Sequence, residues 1–249
     1  MLEIALILVG VLIGLVCIGS LGVSVWLMTK YHQYNCLHNS ARMSGGDVAR
    51  RILDEHGLQH IKVKAKGSIL FGNSYSHYFK KVRLRRYTID QMTVTSLGIG
   101  AQKAALAILA SEGDPDMKRR IRLVPLITFG PFSFIPLMLL GLVLDIGFGG
   151  AKGYIFLLSV LLGLLFYVYA ILLTVSTLKT EKKAQERARI ILSTSMLATE
   201  EELQMLDALF RLYNIQYIND IVLSSLELVY EVLDFALDLK DITSILKTR

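Results

Sequence analysis

Three uncharged apolar runs, residues 4–28, 123–144 and 153–178, alternate with charged stretches along the chain. Each exceeds the ~20 residues that carry a helix across a hydrocarbon core of about 30 Å, so three membrane spans are predicted. The first run follows Met-Leu-Glu without a basic leader and outlasts the ~7–15-residue core of a signal peptide, so it reads as an uncleaved anchor. The second carries Pro125, Pro131 and Pro136, which kink a helix and leave carbonyls for neighbours to satisfy. A fourth span over residues 214–239 stays open. That stretch is apolar but holds Asp220, Glu227, Glu231, Asp234 and Asp238, acids that suit a helix packed against other helices or a partner better than one facing lipid.

The remaining segments carry shorter patterns. Ser44 is a helix N-cap with Asp47 in the first turn, Val48, Ile52 and Leu53 form an apolar stripe, and Gly57 stops it. A short amphipathic helix over residues 45–56 follows. Residues 61–86 read as β: Ile61, Val63 and Ala65 alternate with Lys62, Lys64 and Lys66, and Val82 and Leu84 alternate with basic neighbours. Gly67, Gly72 and Asn73 punctuate the stretch, so a small β-hairpin or ribbon with a basic face, lying close to the membrane, is predicted. Helical signals return over residues 88–111 with five alanines, and the loop 112–116 ends them. After the third run, residues 180–197 read as a charged helix, and Thr199 with Glu202 signals a further helix from Glu200.

Composition agrees: 53% of residues are hydrophobic and 19% charged, with a mean hydropathy of +0.50. The charges orient the spans. Residues 29–123 hold 17 Lys/Arg and 7 Asp/Glu, residues 1–28 only Glu3, and the link between the second and third runs only Asp145 and Lys152. The positive-inside rule puts the N-terminus outside, and residues 29–122 and the C-terminal region inside. The chain divides into an anchor (1–28), a basic inner-face domain (29–122), a transmembrane hairpin (123–178) and a C-terminal helical region (179–249). Cys17 lies within the first span and Cys36 inside, which fits a reducing interior and no disulfide. The isoelectric point near 9.2 reflects topology and anionic lipid rather than nucleic acid.

Candidate chemistry is sparse. His32, Cys36 and His38 are close in sequence, and His56 and His60 flank Gly57, but solvated polar residues near a membrane account for both groups. Asp114 and Asp116 flank Pro115 in a turn, a better reading than a catalytic carboxylate pair. Gly98 and Gly100 suit a tightly packed helix start rather than a phosphate loop. The basic stretch Lys80, Lys81, Arg83, Arg85 and Arg86 reads as a solvated or lipid-facing strand, and Glu227, Glu231 and Asp234 are candidates for pairing with those cations or with a partner.

Four stretches in order carry a resemblance. They are residues 43–58 (MSGGDVARRILDEHGL), 75–84, 97–108 (LGIGAQKAALAI) and 123–130 (LVPLITFG). With them the chain resembles the bacterial membrane zinc metallopeptidases of the YugP type, over roughly residues 5–235. The resemblance implies a zinc helix at residues 90–111 and a mostly α membrane scaffold. In that family the helix carries His-Glu-x-x-His, two metal ligands on one face with the general base between them. Here Gln102, Lys103 and Leu106 stand at those positions. The family's third ligand, a Glu just after the third span, falls at Ser176 or Thr177, with Glu181 the nearest carboxylate. Leucine binds no metal, glutamine binds zinc poorly, and lysine repels it.

The resemblance thus implies a catalytically inactive metallopeptidase-like scaffold with no metal or other cofactor, acting as a binding or regulatory subunit among other membrane proteins. The alternative is an active peptidase with displaced ligands. A bacterial inner membrane is expected, or an organelle membrane of bacterial origin. Gln102, Leu106 and Ser176 are expected to cluster.

Overall fold

The computed structural model describes residues 2–66, 72–124, 134–148 and 153–247. The chain forms α1 (Leu2–Asn35), α2 (Gly45–Glu55), β1 (Lys62–Lys66), β2 (Ser74–Ser76), β3 (Lys81–Arg85), α3 (Arg86–Asp90), α4 (Val94–Glu112), α5 (Pro115–Leu123), α6 (Phe134–Gly147), α7 (Tyr154–Thr194) and α8 (Glu200–Lys247). It is a mostly helical protein with a small three-stranded sheet. It divides into two units, one of Met1–Gly22, Leu123–Val175 and Tyr217–Arg249, the other of Val23–Arg122 and Ser176–Gln216.

The described residues of the first unit are helical apart from Phe148 and Gly153 at the helix ends. α1 and α7 are long and apolar enough to cross a membrane. The second predicted span is described only in part: α6 is apolar but short, and residues 125–133, with Pro125 and Pro131, lie outside the described residues, as does Lys152. Asp145 follows the apolar stretch and is buried because its carboxylate accepts the backbone N–H groups of Gly153 (2.5 Å) and Ile155 (3.1 Å), orphan donors at the start of α7. Glu227 and Glu231 are half-buried on α8 and Asp234 is exposed.

The second unit holds the main core. α2 begins as its sequence dictates: Ser44 Oγ accepts from Asp47 N (3.1 Å), and Asp47 accepts from Ser44 N in return. Val48, Ile52 and Leu53 then face inward with Val82, Leu84 and the small-residue face of α4. The α2–α4 approach needs glycine at both contact points. A Cβ on Gly100 would collide with the Gly45 carbonyl, and one on Gly45 with the carbonyls of Thr88 and Ser96. α4 also meets the length and apolarity of a span, yet it is almost wholly buried within the protein.

Several expectations need correction. β1 is not the partner in a hairpin: the sheet order is β1-β3-β2, with β1 parallel to β3 and only β2 antiparallel to it. The 88–111 stretch is two helices, because Thr93 leaves helical geometry and its hydroxyl caps α4 by accepting from Ser96 N (3.1 Å). The 112–116 loop is shorter than predicted, since Asp114 accepts from Met117 N and starts α5 at Pro115. The charged helix at 180–197 is a continuation of α7.

Candidate functional site

Gln102, Lys103 and Leu106 all lie on α4 and are all buried. Leu106 is fully enclosed in the core, one turn beyond Gln102 and on the same face. Gln102 and Lys103 converge on one group, the carboxylate of Glu181 on α7. Gln102 Nε2 donates to Glu181 Oε2 at 2.8 Å, and Lys103 Nζ donates to the same oxygen at 2.8 Å. The other oxygen faces Arg120 of α5, whose guanidinium lies 3.1 Å away and also donates to Thr180 Oγ1 at 2.9 Å.

Glu181 is only 2% exposed. Burial alone would raise its carboxyl, but Lys103 and Arg120 outweigh it and hold Glu181 below the usual carboxylate range. Two cations surround one anion, so the cluster carries a net positive charge among these three side chains. Each carboxylate oxygen is already engaged by a cationic donor. That is the arrangement of a paired buried carboxylate, ionised and held between cations.

Ser176 was expected at this face. It is buried one and a half turns earlier on α7, and its hydroxyl has no partner among the described residues. The carboxylate that reaches Gln102 and Lys103 is Glu181. Two sequence signals pointed there: Glu181 is the first acid after the third apolar run, and a lysine within an alanine-rich helix needs an anion. Arg120 stands among Lys118, Arg119 and Arg122, and nothing in the sequence sets it apart from them.

The other candidates are dispersed. Among the described residues no three His, Cys, Asp or Glu side chains gather as a metal site would require. Asp114 and Asp116 both hold Lys183 Nζ, at 2.7 and 2.6 Å, and so tie the start of α5 to α7. Burial would raise the Asp114 carboxyl, but the bond and charge of Lys183 together with the backbone N–H groups of Met117 and Asp116 outweigh it and hold Asp114 below the usual carboxylate range. His56 ends α2, with Nδ1 2.8 Å from the Ile52 carbonyl oxygen. Lys80, Arg85 and Arg86 are exposed, and Lys81 and Arg83 are half-exposed on β3.

The family described as "Putative neutral zinc metallopeptidase" matches residues 8–236. The chain is also 26% identical over 195 residues to a protein of Bacillus subtilis (strain 168) named "Putative membrane protease YugP", covering 74% of this chain and 80% of that protein. No solved structure matches it.

Proposed function

The chain belongs to this neutral zinc metallopeptidase family, and we propose that within it this is a non-catalytic membrane member that binds or scaffolds other membrane proteins. The reading rests on one observation: the Glu181 carboxylate is held by Gln102, Lys103 and Arg120. The residues at this face do not fit the family's zinc. A zinc site needs three or four neutral or anionic donors converging at about 2.0–2.3 Å. Here an ammonium and a guanidinium occupy both sides of the carboxylate, and Leu106 presents only hydrocarbon. In this reading Gln102, Lys103 and Leu106 replace the two metal ligands and the base, Ser176 or Thr177 replaces the third ligand, and the nearby Glu181 is neutralised by cations of the protein itself.

The same reading keeps the N-terminus outside and the basic residues 29–122 inside, in a bacterial inner membrane. Metal content of the purified chain tests it, by plasma mass spectrometry after dialysis against a weak chelator, alongside a casein-degradation assay. Zinc well below one per chain with no proteolysis is the expected result. One tightly held zinc per chain, with proteolysis that a chelator abolishes, overturns the proposal in favour of an active peptidase with displaced ligands.

A further inference from the structure

We propose that the outer face of the sheet binds the headgroups of anionic phospholipids. This rests on the register of the strands and does not depend on whether the Glu181 site is catalytic. β1 and β3 run parallel with Val63 beside Val82 and Ala65 beside Leu84. Val82 and Leu84 are fully buried, so this set faces the core. Strand side chains alternate between faces, which puts Lys62 beside Lys81 and Lys64 beside Arg83 on the opposite side, with Arg85 continuing the row. Ser74 and Ser76 of β2 flank them through their pairing with Arg83 and Lys81.

Like charges directly opposite one another destabilise a sheet. None of the three strands contains an acid. Among the described residues, none of the five cations is ion-paired. Asp47 and Asp90 line the pocket beside Lys62 and Lys64, so the face is only partly compensated and carries a net positive field that an anionic surface relieves.

The turn before β3 says which anion. Tyr78 and Phe79 are 58% and 63% exposed there. Lys81 Nζ and Arg83 Cζ lie 5.8 and 5.4 Å from the Phe79 ring centroid. Exposed aromatic rings interleaved with cations suit the bilayer interface, where the ring meets the acyl boundary and the charge meets phosphate. Tyr78 Oη donates to the Ile121 carbonyl at 3.1 Å. Ile121 stands two residues ahead of the apolar run that begins at Leu123. The turn is thus held beside the point where the chain becomes apolar, which favours a lipid surface over a soluble polyanion.

The test uses the full chain carrying Phe79→Trp with Trp26→Phe, in nanodiscs of phosphatidylcholine alone or with added phosphatidylglycerol. A blue shift of Trp emission that needs phosphatidylglycerol and reverses on raising salt is expected. Adding Lys62→Gln, Lys64→Gln, Lys81→Gln and Arg83→Gln should abolish that shift. In the otherwise native chain these four changes should weaken retention of phosphatidylglycerol in detergent by about tenfold or more. Identical emission in both discs overturns the proposal. So does a shift produced in phosphatidylcholine discs by an acidic peptide or an RNA oligonucleotide but not by phosphatidylglycerol. If the four-fold variant fails to fold, the salt and lipid dependence of the Trp reporter decides alone.

Discussion

α1 and α4 are both long and apolar enough to cross a bilayer, yet no residue in the apolar window of one is buried within the protein and that of the other is 89% buried. Hydropathy does not separate them. What does is the detail of their faces. α4 has Gly100 where the Gly45 backbone touches it and Gly98 where the Leu206 side chain does, a capping hydroxyl at Thr93, and a lysine with an acid waiting for it. α1 has large aliphatic side chains pointing outward, such as Ile18 and Leu21. An apolar helix needs no lipid when its small residues let protein close around it, and it cannot bury a cation without supplying the anion.

The contrast breaks most readily at Glu181. Glu181→Ala leaves Lys103 and Arg120 facing each other in the core and should cost about 3–5 kcal/mol, read as a large drop in the melting temperature in detergent. Lys103→Met together with Glu181→Met should cost much less, because apolar groups replace the pair and Arg120 can turn toward solvent. If Glu181→Ala melts with the native chain, α4 is not held by this cluster. The acid range sharpens the point. Glu181 titrates below its ordinary value of 4.5 in the folded protein. Its contribution is therefore complete above about pH 4.5 and is lost as pH falls through the lower folded value. Glu181→Gln removes that titration and should flatten the acid limb of the stability curve.

The next effect lies at the glycine contact. Gly100→Ala pushes a methyl into the Gly45 carbonyl, a backbone atom that cannot rotate away. A loss of about 1–3 kcal/mol is expected, read as a lower melting temperature without loss of helicity before the transition. An unchanged melt would mean that α2 and α4 are not packed as closely as the structure has them. Ser44→Ala follows, at about 1 kcal/mol, because it removes the hydroxyl that accepts from Asp47 N. Hydrogen exchange should show the first turn of α2 fraying while α4 stays protected.

How much of this was legible in the sequence follows the range of each interaction. The α2 capping box was legible because Ser44 and Asp47 are three residues apart. The start of α4 was not, since Thr93 interrupts a stretch whose propensities alone continue as helix. The alternation of Lys and Val in β1 and β3 gave two strands and their basic faces. It could not give their parallel pairing, which needs β2 to enter from the other side of β3. The helix bearing Gln102 and Lys103 is legible from local helical signals, and the resemblance marks Ser176 or Thr177 with Glu181 as the nearest carboxylate, but that Glu181 is the group bonded to Gln102 and Lys103 is seen only in the structure. Apolar runs such as 153–178 offer no landmark to fix register, and the bonds from Gln102 and Lys103 to Glu181, across 79 and 78 residues, settle which turn of α7 faces α4.

The smallest expected effect is the one that most directly tests the other side of the contrast. Gly14 sits mid-helix in α1, and a Cβ there would meet nothing within 4 Å. Gly14→Ala therefore has no clash to cause and trades a flexible residue for a better helix former, a gain in water of about 0.5–1 kcal/mol that a bilayer largely supplies already. The melting temperature should stay level or rise slightly, opposite in sign to Gly100→Ala although the substitution is the same. A clear fall would mean that a second protein surface covers α1 at this glycine, since close helix–helix approach in lipid depends on such small residues. The uncovered face of α1 would then belong to a partner, and the two helices would differ only in whether their covering comes from the same chain.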